Sequence, residues 1–289
     1  MLRSTRLSAL GAALALFLAG HAFAGDSDKG VARIVAFGGS CQGCALSGRK
    51  LTSATFTGGN FNKASLVETD LRGASITATS FIGADFSRAD LRSASLFGVN
   101  FSQAIFTDAR LDGLEGAGPD FSDAQMKRAR LVSADLIGAN FSRAELSEAQ
   151  LDGAQLIGSN FTDVDAQRAD FRSADLTGSR LIRGKFQDAS FRGATLDGAD
   201  LTHAEMIRSD FRGASLEHAR LSGADLSQAR GLDQDQLDKA CGDATTRLPA
   251  GLTAKACKGG PHLGFPGWRP PTPPAPPAPP LPVRRYLSE

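Results

Sequence analysis

From Leu46 to Leu226 a large apolar residue returns at every fifth position, with no insertion or deletion. Of the 37 positions in that series, 35 are Leu, Phe, Ile or Met; the exceptions are Gly116 and Ala166. Two residues before each sits a small side chain, and 25 of the 36 such positions from 54 to 229 are Ala. Period five suits neither ordinary element. On an α-helix five residues advance about 140° past a full turn, which scatters the apolar residues around the surface. On a strand an odd step sends successive large residues to opposite faces. A fixed period held over so long a run predicts a solenoid, in which each unit buries its apolar side only by stacking on the next.

Columns twenty residues apart set the size of one coil. Phe61, Phe81, Phe101, Phe121, Phe141 and Phe161 form one column, and Leu136, Leu156, Leu176, Leu196 and Leu216 another. Identical residues stacked at a strand spacing of about 4.8 Å predict a parallel β-coil with four sides. At four fives per coil, the 37 fives make about nine coils. Surface columns have the same step. Glu68, Arg88, Asp108, Arg128, Glu148, Arg168, Asp188 and Arg208 alternate in sign, as do Asp123, Arg143, Asp163 and Arg183. Such stacking sets each charge between opposite ones and avoids a like-charge ladder. Gly138, Gly158, Gly178 and Gly198 form a corner column where a tight turn benefits from a missing Cβ.

Fives such as ADLTG (174–178), ANFSR (139–143) and ADLSQ (224–228) resemble the pentapeptide-repeat family, A-(D/N)-(L/F)-X-X, over roughly 45–230. The resemblance implies an all-β fold, a right-handed quadrilateral parallel β-helix. It implies no common activity, since one fold hosts unrelated roles.

The ends are read separately. Residues 1–24 carry Arg3 and Arg6, an apolar stretch from Leu7 to Leu18 and the small-x-small sequence Ala22-Phe23-Ala24. This is the pattern of a secretory signal peptide cleaved after Ala24, so the mature protein is expected to be periplasmic or secreted. No other segment approaches transmembrane length. An N-terminal segment, 25–45, contains the C-x-x-C pair, and the repeat occupies 46–230. Segment 231–258 is expected to cap the coil, with Asp233 and Asp235 favouring the start of a short helix that turns Leu232 and Leu237 inward. The cap sequence ACGDATTRLPAGLTAKAC resembles the carboxy-terminal end of many exported pentapeptide-repeat proteins. Residues 259–289 form a proline-rich, disordered tail that reads as a polyproline II spacer or a docking peptide.

Four cysteines in an exported chain suggest disulfides. Cys41 and Cys44 lie at one end of the coil, and Cys241 and Cys257 lie past the other. About nine coils at ~4.8 Å separate the pairs by on the order of 40 Å, whereas a disulfide needs Cα atoms within about 7 Å. The expected bonds are therefore Cys41–Cys44 and Cys241–Cys257. The same distance argues against a four-cysteine zinc site. Cys41–Cys44 reads as a staple, with redox chemistry as the other reading.

Composition narrows the function classes. Residues 46–230 contain 24 acidic and 21 basic side chains in alternating columns. Some members of the family mimic DNA and bind DNA gyrase, which needs a continuous anionic face. An inhibitor of a topoisomerase by that route is kept as an alternative, and no nucleic-acid partner is expected. No nucleophile elbow, phosphate loop or metal-spaced His/Asp group occurs, so neither an enzyme nor a cofactor is expected. The leading reading is a scaffold that binds an envelope protein, with a homodimer also open. Its candidate surface is the outward column Phe97, Ala117, Ile137 and Ile157. Arg172, Arg192 and Arg212 form a second column, suited to an anionic glycan or lipid unless Asp70, Asp90, Asp170 and Asp210 neutralise that side. The run Glu115 to Asp120 is read either as compensated packing or as an outward recognition loop.

Overall fold

One five shows how the backbone is satisfied. Phe121 N–H donates to Asn140 O of the following coil (2.7 Å) and Asp123 N–H to Ser142 O (2.9 Å), while Gln125 N–H reaches back to Ala104 O (2.9 Å). Ala124 N–H closes the turn on Phe121 O (3.1 Å). The remaining donor, Ser122 N–H, is taken by the Asp120 carboxylate at 3.0 Å. This explains the Asp or Asn that precedes so many central residues: its side chain accepts from the backbone two residues on, an Asx turn. At three fives where that residue is absent, the coil below supplies the acceptor. Ile82 N–H binds Asn62 Oδ1 (2.8 Å), Val132 N–H binds Asp112 Oδ1 (3.2 Å) and Glu217 N–H binds Asp197 Oδ1 (3.0 Å).

The computed structural model describes residues 39–257. The expected signal peptide, the rest of the segment before residue 39 and the proline-rich tail lie outside the described residues. Parallel bridges join residues twenty apart, from Ser40↔Asn60 to Asp210↔Arg230, and form four ladders. The four faces are numbered by their central residues: the first carries Phe61, the second Leu66, the third Leu71 and the fourth Ile76. Most fives contribute one bridging residue. The fourth face begins with longer strands, β1 (Thr55–Thr57), β2 (Ser75–Thr77), β3 (Ser95–Phe97) and β4 (Glu115–Ala117), paired in parallel and in register.

The core runs down the axis as one cluster of central residues and small side chains. Its spine is aromatic. Phe121 stacks on Phe141 at 5.2 Å between ring centroids, and Phe141 on Phe161 at 4.9 Å. Leu181 interrupts this column, and the stack passes through the edge-on contact of Phe161 with Phe171 to the third face. There Phe171, Phe191 and Phe211 continue at 5.1 Å per coil.

The corner residue of each five from Gly43 to Gly223 has a left-handed backbone. Asp123, Arg143, Asp163 and Arg183 have φ of 57°, 57°, 59° and 55°. For a residue other than glycine this conformation costs about 1–2 kcal/mol; the bonds its N–H makes to the next coil hold it there. The interruptions in the core pattern stay inside this frame. Leu114 is fully buried, and a Cβ on Gly116 would lie 3.0 Å from Leu96 O. Val164 and Ala166 are likewise buried. The outward recognition loop read for Glu115 to Asp120 does not form: Glu115 to Ala117 is strand β4, Asp120 bridges Asn100 and Asn140, and Pro119 is buried. The space beside Gly116 is taken up by Leu96 and Leu136 of the adjoining coils, and the chain keeps its register.

Pairing also begins earlier than residue 46. Ser40 and Ala45 already bridge Asn60 and Ser65, so Cys41 takes a central position and Cys44 the small position of the next five. At the other end α1 (Gln234–Lys239) is capped by Asp233, whose side chain accepts from Gln236 N–H. Leu237 is fully buried, and the Gln236 amide donates to Phe211 O (3.1 Å) and Ala214 O (2.7 Å), carbonyls of the last coil. Strands β5 (Cys241–Gly242) and β6 (Lys255–Ala256) follow, and Cys241 extends the first-face ladder from Arg220. No helix among the described residues is long and apolar enough to cross a membrane.

Candidate functional site

The corners that carry alternating charge are closed by ion pairs of one polarity. Arg88 pairs with Glu68, Arg128 with Asp108, Arg143 with Asp123, Arg168 with Glu148, Arg183 with Asp163 and Arg208 with Asp188, at 2.6–2.8 Å. Each arginine binds the acid of the preceding coil. Arg128, Arg143, Arg183 and Arg208 grip their aspartates with two donors each, which leaves little for the acid on the other side. Hydrogen bonds from these arginines hold the carboxyls of Asp108, Asp123, Asp163 and Asp188 below the usual range. Arg72 holds Asp70 down to about 2, and the Thr245 hydroxyl does the same for Asp243. A carboxyl with a depressed folded-state pKa stabilises the fold above its unfolded value, near 3.9, and that stability is lost as pH falls through the folded value. The melting temperature should therefore be level from pH 7 to about 5 and fall between about pH 4 and 2. Thermal scans by circular dichroism across that range check this; a flat profile down to pH 2 contradicts it.

The third face carries the arginine column, and the structure divides it. Arg72, Arg92 and Arg172 are bound by Asp70, Asp90 and Asp170 of their own coils at 2.6–2.7 Å, and Arg212 by Asp210. Arg192 has Ser190 in the corresponding place, and no carboxylate among the described residues reaches it.

The fourth face is different in kind. Phe97 is 54% exposed and Ile137 is 38% exposed, the large hydrophobic side chains most open to solvent among the described residues. Both stand in the column of outward positions after the central residues, with exposed Ala117 between them and half-buried Ile157 beyond. The corner beside this column is Gly98, Gly118, Gly138 and Gly158, all at positive φ. Glycine there removes any side-chain rim, so the apolar strip is flat and open at one edge. No described terminal segment covers it. Thr57 and Thr77 precede the strip and Thr177 follows it.

The cysteines form the two disulfides expected, Cys41–Cys44 and Cys241–Cys257, with Cα separations of 5.4 and 4.8 Å. Cys41 N–H donates to Asn60 O and Cys44 N–H to Cys41 O, the bonds of any other five. Their chain leads into the next five rather than into a helix. Among the described residues no cluster of His, Cys, Asp and Glu could hold a metal ion.

The pentapeptide-repeats family matches this chain in eight copies, over residues 40–77, 74–113, 124–163, 154–193 and 189–228. The chain belongs to the pentapeptide-repeat family. Members of this family fold as right-handed quadrilateral β-helices, the architecture formed here by the four ladders. Among solved structures, the pentapeptide repeat protein HetL of the cyanobacterium Nostoc sp. strain PCC 7120, involved in heterocyst differentiation regulation, is 24% identical. The match covers 64% of this chain and 89% of HetL, with a TM-score of 0.34. Full-length QnrB1, a plasmid-mediated fluoroquinolone resistance protein, is 25% identical over 71% of this chain and 94% of its own, with a TM-score of 0.30. A pentapeptide repeat protein of the Arabidopsis thaliana thylakoid lumen is 29% identical over 42% and 69%, with a TM-score of 0.18. Comparison with curated proteins finds no match.

Proposed function

We propose that this pentapeptide-repeat protein is a non-catalytic, exported scaffold that binds a protein of the cell envelope through its fourth face. About nine coils, closed by the helix α1, make the rod that presents this face; the proline-rich tail serves as a spacer beyond it. The observation that carries the reading is the pair of exposed side chains Phe97 and Ile137 in one column, with exposed Ala117 between them. Single exposed apolar residues are ordinary, whereas a contiguous flat strip favours a protein partner. The paired corner charges leave no continuous anionic face, so they give no support to mimicry of DNA. Export rests on the sequence of residues 1–24.

The experiment is photo-crosslinking in the cell envelope, with probes at Ile137 and Ile157 and a control at Arg168 on the second-face corner. The expected result is a discrete adduct at the isoleucines that is absent at Arg168. Exported protein that gives no adduct at either isoleucine overturns the reading. An adduct of twice the chain's mass replaces the envelope partner with a second copy.

A further inference from the structure

We propose that the third face carries a second binding site, a groove for a linear acidic polysaccharide centred on Arg192. Arg172, Arg192 and Arg212 stand on consecutive coils, and with Asp152, Ser173 and Gly193 they line a groove of about 340 Å³. The rings of Phe171, Phe191 and Phe211, each one residue before an arginine, step by 5.1 Å per coil. The column therefore repeats its guanidinium groups at a regular interval of about 5 Å, near the strand spacing of any parallel sheet, with the pairs of Arg172 and Arg212 to either side of the open Arg192. The corner that floors the groove is Ser or Gly in every coil from Ser53 to Gly213. No bulky side chain blocks passage along the axis there.

One residue makes this stretch a site. Asp170 and Asp210 engage the guanidinium groups of Arg172 and Arg212, each also accepting the arginine's own backbone N–H at 3.1 Å. Ser190 breaks that acid column, so Arg192 is exposed and its donors are unspent. A planar guanidinium with free donors recognises a carboxylate through two parallel hydrogen bonds. The groups beside it suit hydroxyls: the Asp152 carboxylate accepts, and the Ser173 hydroxyl donates or accepts. A chain bearing both carboxylates and hydroxyls matches that lining. Polyphosphate and nucleic acid match it less well. Their dense charge meets Asp152, and the lining has no aromatic ring on which a base could stack. The groove of about 540 Å³ between Arg72 and Arg92 is an internal contrast, because both of its arginines are held by their own aspartates.

Ser190→Asp tests the site without endangering the fold. It recreates at residues 190–192 the Asp-Phe-Arg sequence that stands at 170–172 and 210–212. Binding of a fluorescein-labelled polygalacturonate oligomer to the mature chain at low salt is followed by anisotropy. The expected result is saturable binding that weakens about tenfold or more in Ser190→Asp and in Arg192→Gln, the loss of one charge-assisted contact. Three outcomes overturn the proposal: no binding by the unmodified chain, equal affinity in Ser190→Asp, or inorganic polyphosphate binding as tightly as the oligomer.

Discussion

Replacing Phe141 with alanine is expected to lower the free energy of unfolding by about 3–5 kcal/mol, the range for truncating a large buried aromatic side chain. Phe141 is fully buried and lies between two parallel rings, Phe121 at 5.2 Å and Phe161 at 4.9 Å. The substitution leaves a void on the axis and removes both stacking contacts. Neighbouring coils are pinned by their ladders and cannot close the gap. Guanidinium unfolding followed by circular dichroism measures the change. Phe97→Ala is the control: that ring is exposed, and the expected change is within about 0.5 kcal/mol. If the two variants unfold alike, Phe141 is not the core residue described here.

The second large effect belongs to the C-terminal disulfide. Cys241 and Cys257 are 16 residues apart in sequence, and closing a loop of that size stabilises by about 3 kcal/mol in the chain-entropy account. Cys41 and Cys44 are separated by 3 residues, and the same account gives about half that contribution. The double variant Cys241→Ser/Cys257→Ser should therefore lose clearly more stability than Cys41→Ser/Cys44→Ser. It should also release β6, whose pairing with β5 is short and whose two residues are exposed. Hydrogen exchange at residue 257, whose N–H donates to Gly242 O at 3.0 Å, reports that release. The opposite order of stability contradicts the assignment of the longer loop as the main staple.

Much of this was legible in the sequence because a solenoid writes its geometry as a period. The twenty-residue columns of Phe and Leu predicted which residues stack. The step from Cys41 and Cys44 to Cys241 and Cys257 was too long for cross-pairing. Other features depend on atomic detail that a period does not carry. Alternating charges predicted stacking, but the choice of the preceding acid emerges only in the side-chain geometry, where Arg128, Arg143, Arg183 and Arg208 each hold an aspartate with two donors. Glu115 to Asp120 left an outward recognition loop open because Gly116, Gly118 and Pro119 are turn residues; the ladder bonds of Glu115 and Asp120 override that local preference. The end closure by Gln236 had no signal beyond its place in a capping box. Arg192 did have one, the Ser at 190 where its neighbours have Asp, which becomes meaningful only once Asp170 and Asp210 are seen to hold their arginines.

The most direct measurement of the central claim, that the fourth face is a docking surface, is the crosslinking yield at Ile137 in the Phe97→Asp background. Phe97 lies two coils from Ile137, and its substitution leaves the core untouched. The account predicts that the adduct disappears while export and the melting temperature are unchanged. An adduct that persists at full yield would contradict it.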